Sequence, residues 1–229
     1  MLEPRIVSRA EWLASRKSLL AEEKTFTKAR DALSAKRREM PWVKIDTPYT
    51  FTTSKDKETL SDLFAGKSQL IVYHFMYGPD WEQGCKSCSF WADNFNDIIV
   101  HLNQRDVSMV AISTAPVATL QAFAKRMGWT FKWASSGDTT FNQDFGVSPK
   151  AGKTIDYNYG AKSMEMDEMP GISVFAKDKS GAVYHTYSTY GRGLDMVNAA
   201  YHLLDLVPKG RDEKELPYSM TWVRHHDSY

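Results

Sequence analysis

Apolar positions recur along this 229-residue chain in three registers. Residues 8–39 repeat an apolar side chain every seven positions, at Trp12, Leu19, Phe26 and Leu33, with Leu13 and Leu20 beside them. This predicts one long helix with a single apolar ridge, opened by Ser8 and Glu11 at capping-box spacing and closed before Pro41. The positions that would complete a second coiled-coil seam include Ser15 and Glu22, so the ridge is expected to dock on the main domain or on a second subunit. Continuous apolar runs at 70–76 and 107–114 have the length of buried strands. Between them Phe90, Trp91, Phe95, Ile98, Ile99 and Leu102 share one helical face. Residues 69–114 therefore read as strand, helix and parallel strand, joined by the right-handed crossover such units require.

The pattern continues with an extended stretch over 42–51 and a short helix over 59–69 closed by Gly66. Residues 115–127 form a helix with Pro116 in its first turn and Gly128 beyond its end. Residues 135–169 are polar with scattered aromatics, and read as an insertion carrying short elements. Residues 172–178 and 182–189 form a hairpin, and Leu194, Val197, Tyr201 and Leu204 mark a last helix ending before Pro208. The expected organisation is an N-terminal helical extension (1–41), an α/β domain (42–208) and an aromatic tail packed on it (209–229). The order from residue 69 is that of a thioredoxin-like fold, a central mixed sheet flanked by helices, with an insertion before the C-terminal hairpin.

Composition narrows the function classes. Hydrophobic residues make up 42% and charged residues 25%, as in ordinary globular proteins. With 29 basic and 28 acidic residues, the charge gives no argument for nucleic acid or for an anionic membrane surface. No run approaches the roughly 18 consecutive apolar residues of a membrane span. The first residues lack the apolar core of a secretory signal, and Glu3 and Glu11 speak against an organelle presequence. Two cysteines are too few for a disulfide scaffold, so the expected compartment is the cytoplasm, where a close pair reads as catalytic or metal-binding.

Those cysteines, Cys85 and Cys88, stand two residues apart at the start of the helix after the first buried strand. Cys88 shares the inward stripe of Trp91 and Phe95. Cys85 lies nearly a turn earlier, where unpaired backbone N–H groups stabilise a thiolate. Cys85 is thus the expected nucleophile on a disulfide or other oxidised sulfur, and Cys88 the resolving thiol. Pro170 opens the hairpin at the place where a thioredoxin-like fold sets a cis proline across from its dithiol. Pro170, Trp81, Lys86 and Ser87 are candidate substrate contacts, and Asp80 and Glu82 a candidate proton relay. The substrate would be a protein or small-molecule disulfide or thiol, no cofactor is called for, and the N-terminal helix is a candidate homodimer surface. Three other readings stand beside this one: an inert cysteine pair in a core, a non-catalytic binding or scaffold protein, and a half zinc site. Zinc needs about four ligands, and apart from the adjacent His225 and His226 no second ligand pair is at hand. His74, on the buried strand, reads as a core histidine.

The segments RREMPWVKIDTPYTF, LSDLFAGKSQLIVYHFMYGPDWEQGCKSCSFWADNF, HLNQRDVSMVAIS, RMGWTFKWASS, FNQDFGV, PGISVFAKD and WVRHHD resemble the thioredoxin-like family called domain of unknown function eight-nine-nine. The resemblance runs from about Trp12 to the C-terminus. It implies a dithiol–disulfide oxidoreductase with Cys85 and Cys88 as the redox pair, and no substrate. The layout is also similar to the peroxiredoxin-like branch of the superfamily. The peroxidatic pattern, Pro and Thr upstream of a single Cys, is absent around Cys85, which speaks against peroxidase activity.

Overall fold

The chain divides into two compact units, one ending at Pro41 and one spanning Trp42–Tyr229. The computed structural model describes residues 4–150, 155–160, 162–164 and 166–229. The first unit is the helix α1, Arg9–Arg38. Its capping box is complete: the Glu11 amide donates to Ser8 Oγ at 3.3 Å, and the Ser8 amide to Glu11 Oε2 at 3.0 Å. Lys36, Arg37 and Arg38 sit at the C-terminal end, where cations oppose the helix dipole. α1 buries none of its residues, and Trp12, Leu19, Phe26 and Leu33 along its ridge are exposed.

In the second unit the strands are β1 Val43–Lys44, β2 Thr50–Thr52, β3 Lys57–Thr59 and β4 Gln69–His74. The helices α2 Lys86–Ala92 and α3 Ile99–Gln104 follow, then β5 Val107–Ser113, α4 Val117–Arg126, β6 Lys132–Ser135 and α5 Phe141–Asp144. The small pair β7 Ile155–Tyr157 and β8 Lys162–Met164 precedes the hairpin β9 Gly171–Lys177 and β10 Val183–Tyr190, and α6 Ala199–Leu204 comes last. Eight strands form one sheet in the order β1-β10-β9-β4-β5-β6-β2-β3. β4, β5 and β6 are parallel, whereas β9 is antiparallel to β4 and β10. The stretch β10-β9-β4-β5 is the four-stranded core of the thioredoxin fold, so the fold class read from the sequence is the one observed.

Alternation along β4 distributes its side chains to two cores. Tyr73 on one face joins Trp91, Phe123, Trp133 and Tyr201, beneath α2, α4 and α6. Leu70 and Val72 on the other join Phe51, Phe64, Phe141 and Phe175. His74 is 1% exposed, lies against the rings of Phe141 and Phe145, and shares a 2.8 Å hydrogen bond between Nε2 and Ser173 Oγ. It is the core histidine its position suggested. Burial holds its pKa down to about 3, so the ring is neutral.

The structure corrects three helices. The stretch 59–69 holds only a 3₁₀ turn, Asp62–Phe64, between the end of β3 and the start of β4. The apolar face from Phe90 to Leu102 is carried by two helices instead of one, because 93–97 is the polar run DNFND. Asn94 Nδ2 donates to the Phe90 carbonyl at 2.6 Å, a side-chain bond that competes with continuation of the helix. The last helix is likewise split. Residues Gly191–Val197 form a 3₁₀ segment, and Asn198, extended at φ −107° and ψ 97°, starts α6 afresh by accepting the Tyr201 amide.

Candidate dithiol site

The site begins where β4 ends. Past His74 the chain still follows β5, with the Phe75 amide donating to the Ile112 carbonyl at 3.0 Å. It then turns at Gly78, where a Cβ would come within 2.8 Å of the Trp81 indole nitrogen. Gly84 closes the loop. It is buried, and a Cβ there would meet the Phe75 ring at 2.8 Å and the Phe123 ring at 3.0 Å. Only hydrogen fits between those rings, so the residue before Cys85 is fixed sterically. The Cys85 amide donates to the Met76 carbonyl at 3.0 Å, returning the chain to the end of the strand.

Cys85 immediately precedes α2, partly buried, and Cys88 is 2% exposed inside it; both are free thiols. The Cys85 thiol is lowered to about 6, first by the hydrogen bond from the Cys88 thiol, then by the amides of Cys88 and Ser87 and the Ser87 hydroxyl, against the opposing effect of burial. α2 has seven residues, so these local donors carry the effect more than a long helix dipole does. Cys88 is pushed up by burial and by its neighbour. Near neutral pH the pair is therefore a thiolate at Cys85 hydrogen-bonded by a thiol at Cys88.

Several residues hold this pair that the sequence did not single out. Tyr73 reaches from β4 to donate to the Cys88 carbonyl at 3.2 Å, and burial keeps its hydroxyl protonated. Tyr157, in the insertion, donates to the Pro170 carbonyl at 2.6 Å and accepts the Gly191 amide at 2.7 Å. Burial raises the Tyr157 pKa, and the Cys88 charge adds to it. The tail crosses the same loop: His225 Nε2 lies 2.9 Å from the Gly84 carbonyl, and Arg126 pairs with Asp227 at 2.7 Å while donating to Gln83 at 2.8 Å. Nothing in the polar insertion marked Tyr157, and nothing in the tail announced a partner at Gly84.

The other predicted residues fall as follows. Ser87 bears on the Cys85 sulfur, and Trp81 packs with Cys85 against the core. The Lys86 ammonium donates to the Thr221 carbonyl at 3.0 Å, which ties it to the tail. Asp80 and Glu82 are exposed in the loop. Pro170 immediately precedes β9, but its peptide is trans, since the described residues contain no cis bond. The Met169 amide donates to Val147 O at 2.7 Å, and Tyr157 holds the Pro170 carbonyl; these two bonds anchor an approach from the insertion that needs no cis turn. Among the described residues, no group of three His, Cys, Asp or Glu could hold a metal ion, and no helix is long and apolar enough to cross a membrane.

The four-stranded β10-β9-β4-β5 core, with the free thiols Cys85 and Cys88 at the start of the helix after β4, defines a thioredoxin-like fold. Within that class the chain belongs to the family described as bacterial protein of unknown function, DUF899, which it matches over residues 1–229. No curated protein matches it. Among solved structures, a cysteine-to-serine mutant of peroxiredoxin Q from Xanthomonas campestris aligns with a TM-score of 0.50 at 15% identity, covering 72% of this chain and 98% of that one. Peroxidoxin BcpB from Mycobacterium tuberculosis aligns with a TM-score of 0.48 at 17% identity, over 70% of this chain and 94% of that one. At such identities the likeness concerns the fold.

Proposed function

We propose that the protein is a thiol–disulfide oxidoreductase of the cytoplasm, with Cys85 as nucleophile and Cys88 as resolving thiol. The observation that carries this reading is the asymmetry of the pair: a partly exposed Cys85 lowered to about 6 and a buried Cys88 raised above the ordinary range. The Cys85 thiolate attacks a substrate disulfide, forming a mixed disulfide and releasing the first substrate sulfur as thiolate. Cys88 gives up its proton and attacks Cys85 Sγ, and the second substrate sulfur leaves. Two electrons pass to the substrate, which takes up two protons, and a Cys85–Cys88 disulfide remains. Asp80 and Glu82, on the exposed loop, would pass the protons to and from solvent, and Trp81, Lys86, Ser87 and Pro170 would line the approach of the substrate.

The test is mass spectrometry of the thiol state across a series of glutathione potentials. One reversible two-electron couple joining Cys85 to Cys88 supports the reading; two thiols that never form an intramolecular disulfide would reject it in favour of a binding protein that keeps the fold. In the same reading α1 is the surface for a second copy of the chain. Residues 1–41 carry ten basic and six acidic side chains, against 19 and 22 in the remainder, so the segment that bears the apolar ridge is basic and the remainder of a second copy is acidic. Sedimentation of the protein with and without Phe26→Glu checks this: a dimer that dissociates in the variant supports it, and a monomer in both rejects it.

A further inference from the structure

Glu168 is 3% exposed, two residues before Pro170. The groups facing its carboxyl are the Thr114 hydroxyl at the end of β5, the Asn142 amide of α5 at 3.5 Å and the Ser148 hydroxyl; the charge acting on it is that of Asp167. Burial raises its pKa to about 7. Thr114 has one hydrogen and two acceptors. It bonds Glu168 Oε1, and it lies 3.4 Å from the Tyr77 carbonyl, which also accepts the Ala115 amide at 2.9 Å. The preceding carbonyl, that of Met76, holds the Cys85 amide. Adjacent carbonyls thus carry the switchable hydrogen bond and the nucleophile's anchor.

We propose that Glu168 is a positioning residue for Cys85, acting through Thr114 on the Tyr77 carbonyl, one residue beyond the Met76 carbonyl that anchors the Cys85 amide; its bearing on reactivity rests on the dithiol reading. An ionised Glu168 accepts the Thr114 hydrogen, and the Tyr77 carbonyl keeps the Ala115 bond alone. A protonated Glu168 donates to Thr114 Oγ1, whose own hydrogen then turns to Tyr77. The Tyr77 carbonyl therefore has two hydrogen-bonding states, and the amide of residue 85, held by the adjacent Met76 carbonyl, shifts with them.

The experiment is an NMR pH titration of the amides of residues 85 and 115 in the Cys85→Ser, Cys88→Ser double variant, where no thiol titrates. Both amides are expected to move in one step near pH 7, to lose it in Glu168→Gln and in Thr114→Val, and to regain it in Thr114→Ser. A step that survives in Thr114→Val belongs to another group and overturns the proposal, as does the absence of any step. In the protein with both thiols, the pH profile of Cys85 alkylation should depart from a single titration and return to one in Glu168→Gln; identical profiles would also overturn it. If glutathione equilibration yields no disulfide, the dithiol reading fails while the amide titration still stands or falls by itself.

Discussion

The amide of Cys85 donates to the carbonyl of Met76 at 3.0 Å, and this bond closes the loop between the buried strand and the dithiol helix. Through it the segment that continues β4 sets the position of Cys85. The remaining donors to the Cys85 sulfur then come from Ser87 and Cys88, within the next three residues.

The Cys88 thiol is the largest single cause of the lowered Cys85 pKa, so removing it should be visible at Cys85. Cys88→Ala is expected to raise the midpoint of Cys85 alkylation by iodoacetamide from about 6 by at least about one unit, roughly 1.4 kcal/mol of thiolate stabilisation. The amides of Ser87 and Cys88 remain in the variant, so the midpoint should not return fully to the ordinary thiol value. An unchanged midpoint would show that the pair is not coupled.

Gly84 has two aromatic rings against its α-carbon, besides the bond of its carbonyl to His225. In Gly84→Ala the added methyl meets the rings of Phe75 and Phe123 inside normal contact distance. Overpacking of this kind costs about 2 kcal/mol, read as a lowered midpoint in urea. Because Gly84 adjoins Cys85, the same variant should shift the Cys85 alkylation midpoint. A variant as stable as the parent, with the same midpoint, would mean that the rings move aside freely.

Much of this arrangement was legible in the residues. The apolar run into Gly78–Pro79 and the inward stripe Cys88, Trp91, Phe95 locate the dithiol and separate its two thiols, because periodicity reports burial directly. Cys88, Trp91 and Phe95 are all buried, whereas Ile98, beyond the DNFND break, is 44% exposed. Backbone isomer was not legible: the strand order suggested a cis bond at Pro170, and the Tyr157 hydroxyl, brought in by the insertion, holds that residue in another way. Glu168 and Tyr157 were missed for a shared reason. Both lie in the polar insertion, where no period marks an inward residue, and their environment is assembled from β5, α5 and the 3₁₀ segment after β10, all distant in sequence.

Stability should depend on pH through two buried groups of opposite sign. Glu168 has a native pKa of about 7 against 4.5 for the free group, so the native state holds its proton longer. Its contribution is full below the unfolded value and is lost as pH rises through 7. His74, at about 3 against 6.5, contributes above 6.5, and that is lost as pH falls through 3. Glu168→Gln should therefore gain on the parent by up to about 3 kcal/mol between about pH 4 and pH 8. His74→Gln, which retains a donor toward Ser173, should gain in the opposite direction, below pH 6.5. Urea unfolding of the three proteins across that range is the measurement. A Glu168→Gln difference that does not vary with pH would show that Glu168 is ionised normally.

The tail is part of the site's support, and its anchor is Val223, which is fully buried. Trp222 beside it packs edge-on against Phe90 of α2 at 5.5 Å, and its indole donates to Glu213 at 2.6 Å. The polar contacts of the tail, Lys86 with Thr221 and Arg126 with Asp227, are partly exposed, and the second is an ion pair of the sort worth about 1 kcal/mol or less. The apolar anchor should therefore dominate. Val223→Ala is expected to cost about 2 kcal/mol and to open the tail locally, whereas Asp227→Asn should change stability by less than about 1 kcal/mol. Opening frees the Lys86 ammonium from Thr221 and the Gly84 carbonyl from His225. Limited proteolysis after Lys214 or Arg224 should then be faster in Val223→Ala than in Asp227→Asn, with Cys85 alkylated faster in the first variant. If both variants resist cleavage equally and alkylate at the parent rate, the tail is held by contacts other than Val223 and does not shield Cys85.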